Sequence, residues 1–156
     1  DAMLTDLSIP FLVEAGFVTE EEAKEKYDFL KGMVSVLKEK LQYVKEITDH
    51  ASIFFGDTVE LETEECGEFL KLEHIPTLVD ALIEKLSNME VLDEASAKAM
   101  LKEIQKEHGI KGKNLFMGSR ISLTGQMHGP DLNKIMEVIG KETCLNRLNY
   151  VKNNIL

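Results

Sequence analysis

The stretch IPTLVDALIEKL, Ile75–Leu86, decides the fold class. Its apolar residues Ile75, Leu78, Val79, Leu82, Ile83 and Leu86 recur at the three- and four-residue spacing that gathers side chains on one stripe of an α-helix. The same period returns along the chain. Ala97, Met100, Leu101 and Ile104 form a second stripe, with Asp93 placed as its N-cap. Leu30, Met33, Val34, Leu37, Leu41 and Val44 form another, on a helix expected to begin near Thr19, where Thr19 and Glu22 have capping-box spacing. Leu132, Ile135, Met136 and Ile139 follow the helix-start signal Gly129-Pro130, and Gly140 is expected to end that helix before the last stripe, Cys144, Leu148, Val151 and Ile155. Val59 to Thr63 alternates too briefly to make a strand. The expectation is an all-α protein, a helical bundle or superhelical array of about eight helices with short connections.

Composition narrows the class. The chain has 156 residues, 44% of them hydrophobic, enough for one compact domain or two small subdomains. No apolar run reaches the roughly 20 residues of a membrane span, and the first residues, Asp1 to Asp6, are acidic and lack the basic start of a secretory leader. Cys66 and Cys144 have no metal-ligand spacing and read as reduced thiols of a cytoplasmic protein. His50, His74, His108 and His128 are scattered, without zinc-binding spacing. No nucleophile elbow, phosphate loop or dinucleotide fingerprint is present. Glu64 and Glu65 point about 100° apart on a helix and suit a solvated first turn better than an acid–base pair.

The net charge of −10 is unevenly placed. Asp57 to Glu94 holds twelve acids and two bases, whereas Lys98 to Leu156 holds ten bases and five acids. The sign changes between Met89 and Asp93, which sets the expected boundary between two helical subdomains, 1–90 and 91–156. Such asymmetry suggests a localised anionic partner, but on charge alone solvated helix faces are the favoured reading.

Helical periodicity fails from Gly109 to Pro130. Gly109, Gly112, Gly118, Gly125 and Gly129 punctuate this segment, which reads as loop-rich. Lys98, Lys102 and Lys106 share one helix face leading into it, and Lys111, Lys113 and Arg120 follow. Such a row of cations before a glycine-rich stretch suits phosphates. It also suits plain solubility, and spacing alone leaves both readings open.

The stretch KGKNLFMGSRISLTGQMHGPDL, Lys111–Leu132, resembles the C-terminal region of bacterial glutamyl-tRNA synthetases. There a Lys-Gly-Lys-x-Leu-Phe-Met-Pro run leads into Arg-x-Ala-Leu-Thr-Gly and then His-Gly-Pro-x-Leu. Gly140-Lys141-Glu142 and the Leu-x-Arg-Leu run at Leu145–Leu148 resemble the family's ending. Gly118 stands where the family has proline, and Ser122 where it has alanine.

The resemblance implies a tRNA anticodon-binding module. Arg120 would contact the first anticodon base, Gly129, Pro130 and Leu132 would pack around the first two, and Lys40 would read the third. Lys102, Lys111 and Lys113 would meet the RNA backbone. The implied parent is a class I glutamate–tRNA ligase, monomeric and cytoplasmic, using ATP and Mg in a catalytic domain whose His-Ile-Gly-His-like and Lys-Met-Ser-Lys-Ser-like signatures are absent here. This chain itself would need no cofactor and would not touch a membrane. The competing reading is an acidic helical protein-interaction module built on Asp57 to Glu94, with no affinity for RNA.

Overall fold

The computed structural model describes residues 2–156. Nine α-helices and three short 3-10 turns are present among the described residues, with no strand. None of these helices is long and apolar enough to cross a membrane. The chain forms two compact units, 1–55 and 56–156.

The first unit contains α1 (Ala2–Glu14), α2 (Glu20–Glu25), α3 (Tyr27–Leu37) and α4 (Ile47–His50). The expected capping box starts α2: Thr19 Oγ1 accepts from the Glu22 N–H at 3.1 Å, and Glu22 Oε1 accepts from the Thr19 N–H at 3.1 Å. The expected long helix is nevertheless interrupted. Lys26 leaves helical geometry at φ −106°, ψ 25°, and α3 stops at Leu37. Lys38–Lys40 tightens into a 3-10 turn, after which Leu41 is extended. Leu41 and Val44 keep the stripe's spacing in sequence but lie beyond the helix, each half-buried. Leu12, Leu30, Met33, Val34, Leu37 and Ile47 fill the core with no exposed surface. Phe55 closes it, stacked on Phe17 at 5.2 Å and edge-on to Phe29 at 5.6 Å.

The second unit contains α5 (Glu64–Leu70), α6 (Ile75–Ser87), α7 (Glu94–His108), α8 (Lys113–Thr124) and α9 (Leu132–Asn154). Helix α6, the stretch that decided the fold class, packs against α7, α8 and α9. Ile75, Leu78, Val79, Leu82 and Leu86 are fully buried in those contacts. Asp93 caps α7 as expected, its Oδ1 accepting from the Ser96 N–H at 2.7 Å. Gly140, at φ 86° and ψ 164°, breaks α9 where a helix end was expected. The subdomain boundary expected at 90/91 falls inside this unit. It lies in the link from α6 to α7, which pack on each other and on α9, so the change of charge sign marks a surface property and no gap in the core.

The loop-rich reading of Gly109–Pro130 is corrected by α8, which occupies twelve of those residues. The glycines serve its ends and its contact face. Gly109, Gly112 and Gly125 take φ of 70°, 60° and 76° at the end of α7 and at the two caps of α8. Gly118 is buried mid-helix rather than in a turn: a Cβ there would stand 2.7 Å from Leu78 Cδ2. Ser119 and Ser122 are buried beside it. Periodicity fails because the packed side of α8 uses small and polar residues where an apolar stripe would give the signal.

Arg147 ties this unit together. It is 2% exposed; its Nε donates to Gly56 O and its Nη1 to Leu123 O, each at 3.0 Å. Burial lowers the guanidinium's pKa, while Cys144 and Asp57 pull it upward. Leu123 O is one of the last α8 carbonyls, which have no partner within the helix. Arg147→Ala would leave two carbonyls short of a donor and is expected to cost about 2–4 kcal/mol by urea denaturation. At Gly125 a Cβ would run into the carbonyl oxygen of Glu60. Gly125→Ala should therefore cost more than the ~1–2 kcal/mol of left-handed strain alone, read in the same assay. Burial raises the Cys144 thiol to about 12, and Cys66 is equally enclosed. A thiol reagent at about pH 8 should modify neither in the folded chain and both in denaturant.

Candidate nucleic-acid interface

The residues singled out from the sequence fall in both units. Lys40 is exposed at the end of the 3-10 turn after α3, in the first unit. All the others lie in the second unit.

Arg120 stands on α8, half-buried, and its Nη1 donates to Pro130 O at 2.8 Å. That bond joins the third turn of α8 to the segment entering α9. Exposed Gly129 sits beside it, and a Cβ at Gly129 would lie 3.1 Å from the same Nη1. Burial lowers the Arg120 pKa, and neighbouring Asp131 opposes the shift. The guanidinium stays cationic, since arginine loses its proton only far above neutral pH. With one nitrogen fixed on a carbonyl, the planar fork has a set direction and keeps further donors for a ligand.

Two local devices hold the turn between α8 and α9. Thr124 Oγ1 donates to Arg120 O at 2.8 Å and accepts from the Gln126 N–H at 3.2 Å. Asp131 Oδ1 accepts from the Asn133 N–H at 2.9 Å, capping α9. Leu132 is 6% exposed and points into the core, so its side chain braces the turn. Direct packing of Leu132 against an anticodon base, as the resemblance implied, would need that side chain at the surface.

The basic residues are exposed. Lys98, Lys102 and Lys106 lie along α7, Lys111 in the link to α8, and Lys113 at the first residue of α8. Glu103 and Glu107, the acids nearest the row in sequence, each stand about 100° around the helix from the lysine that precedes them. Both pair with Lys85 of α6, at 3.4 and 2.9 Å. The Glu107 hydrogen bond raises the Lys85 pKa and lowers that of Glu107. Lys98 differs from its neighbours, sharing a shallow depression of about 430 Å³ with Asp93, Glu94 and Glu137. Lys102 and Lys106 are the members of the row that this acidic rim leaves out.

Sequence reasoning missed two features here. Asp131 carries no motif, and its role appears only once the α9 cap forms. Phe116 is 52% exposed on α8, although an apolar residue in an apolar-polar mix gave no sign of it. No group of three or more His, Cys, Asp or Glu able to hold a metal occurs among the described residues.

A family profile described as the anticodon binding domain matches residues 3–152. The chain is 76% identical over all 156 residues to the glutamate–tRNA ligase of Clostridioides difficile, covering 32% of that protein. It is 50% identical over 153 residues to that of Alkaliphilus metalliredigens, covering 31% of it. Among solved structures, a glutamate tRNA ligase from Elizabethkingia meningosepticum matches 99% of this chain with a TM-score of 0.79 at 25% identity, over 29% of its own length. The chain thus spans about a third of the length of the relatives it matches. With its helices, its ordered α8–α9 turn and a profile match over nearly its whole length, the chain belongs to the anticodon binding domain family.

Proposed function

We propose that the chain is the anticodon-reading part of a glutamate–tRNA ligase and selects glutamate tRNA for aminoacylation. The observation that carries this is Arg120, held by Pro130 O beside exposed Gly129 in a chain whose profile match is to anticodon binding domains. Single-stranded loops are read through unstacked bases, and a fixed, partly desolvated guanidinium offers both a stacking plane and donors for base acceptors. Arg120 contacts the first anticodon base. Gly129 and Pro130 pack around the first two with exposed backbone, while buried Leu132 supports them from below. Lys40 meets the third base, with a point charge and without the fork of an arginine. Lys102, Lys111 and Lys113 hold phosphates, positioning the loop without specifying it.

In this reading the longer ligase is a cytoplasmic monomer. It joins glutamate to tRNA using ATP and Mg in a catalytic part that lies outside this chain. The residues described here take no part in that chemistry. They bind, orient and discriminate.

Binding of a glutamate-tRNA anticodon stem-loop, followed by anisotropy, tests the assignment. Arg120→Ala should weaken the cognate loop by about 5- to 100-fold, the range of one base contact. A loop with scrambled anticodon should be affected far less. Arg120→Lys keeps the charge and should recover little if the fork matters. Equal losses for both loops would reduce Arg120 to a phosphate contact. Lys102→Ala should weaken both loops alike and flatten the plot of log affinity against log salt by about 0.7–0.9.

A further inference from the structure

Seven phenylalanines occur in the chain, and six are buried or partly covered; Phe116 is the exception, at 52% exposure. Its place on α8 is particular. Lys113, Phe116, Met117 and Arg120 stand at i, i+3, i+4 and i+7, so they form one stripe. This is the side of α8 turned away from its packing, since Leu115, Gly118, Ser119 and Ser122 on the other side are buried. On the helix, Phe116 stands about one turn after Lys113 and about one turn before Arg120. On the packed side of the adjoining turn, Ser122 Oγ donates to Gly118 O at 2.7 Å.

An exposed aromatic ring costs free energy in water, on the order of the 25 cal/mol per Å² of apolar surface left unburied. Cations on both sides make this face unsuited to an apolar protein surface, which would strip their hydration without pairing them. They suit a ligand with flat π-faces on an anionic backbone. A single-stranded nucleic acid has that chemistry: a phosphate for Lys113, base acceptors for the Arg120 fork and a base face for the ring.

We propose that Phe116 is a stacking platform for an unpaired nucleobase of the same RNA loop, adjacent to the base held at Arg120. The assignment rests on the anticodon-binding reading above and adds a base contact on α8 itself. Phe116 would contribute affinity without strong base preference, because every base presents a π-face. Arg120 would then supply selection, and Lys113, one turn before the ring and on its far side from Arg120, would anchor a phosphate flanking the stacked base.

The absence of tryptophan from the chain provides the assay. Phe116→Trp places a lone indole in the stripe, and stacking of a base on it should quench its fluorescence as the glutamate-tRNA anticodon stem-loop is added. Phe116→Ala should weaken the stem-loop by about 5- to 100-fold. Its salt slope should be unchanged, since no charge is removed. The thermal midpoint of either variant should stay near that of the parent sequence, which separates lost stacking from lost folding. If the unaltered chain fails to bind the stem-loop at low salt, the anticodon-binding reading falls and this inference with it. If the unaltered chain binds, but Phe116→Ala binds equally well, the Phe116 assignment alone is overturned. Unquenched indole fluorescence in a complex that still forms overturns it too.

Discussion

A single buried cation holds the second unit in register. Arg147 comes from the last part of α9 and reaches both the start of the unit, at Gly56 O, and the end of α8, at Leu123 O. Neither carbonyl has a regular secondary-structure partner, and burial without a donor would cost more than the net value of either bond. The arrangement explains why α8 can end where it does. Gly125 turns left-handed and passes against the backbone of Glu60, and the Glu62 N–H donates to Gly125 O at 2.9 Å. The unit's opening segment, the stop of α8 and the last helix are thereby fixed by one side chain and one glycine. The α8–α9 turn bearing Arg120 and Pro130 is built on that base.

Helix positions were largely legible where burial is achieved with large apolar side chains. Ile75 to Leu86 gave α6 almost residue for residue, and the cap signals at Thr19 and Asp93 were found in place. The signal failed at α8. Its contact face is made of Gly118, Ser119 and Ser122, chosen for closeness to α6, and such residues look like loop composition. The stripe from Leu30 to Val44 failed in the opposite sense, since the apolar spacing continues in sequence past Leu37, where the helix ends. Charge sign proved a poor guide to compact units, because Lys98 to Leu156 and the acidic stretch before it pack into one core.

The candidate interface was legible in its charged members and opaque in its apolar ones. Arg120, Gly129 and Pro130 were singled out together, and a hydrogen bond of 2.8 Å joins the first to the third. Leu132 and Phe116 are both apolar residues near a basic segment, and their linear neighbourhoods do not separate them. One turn of helix phase does. Leu132 begins α9 facing inward at 6% exposure, whereas Phe116 sits on the outer stripe of α8 at 52%. Which of two apolar residues meets solvent depends on packing partners distant in sequence, here α6 for α8 and the core for α9.

The two flanks of α7 have an effect reaching beyond contact distance. Lys85 pairs with Glu103 and Glu107 along one edge of the helix, so part of their negative charge is offset on that side, away from Lys102. At physiological ionic strength such a field persists for only about 8 Å. A polyanion drifting near a chain of net charge −10 is on balance repelled, and gains attraction only after it has come within that range of the lysine edge. In the proposed reading, overall acidity and a local basic rim would together filter orientation: a misaligned polyanion would be repelled, and the approach through the lysine edge favoured.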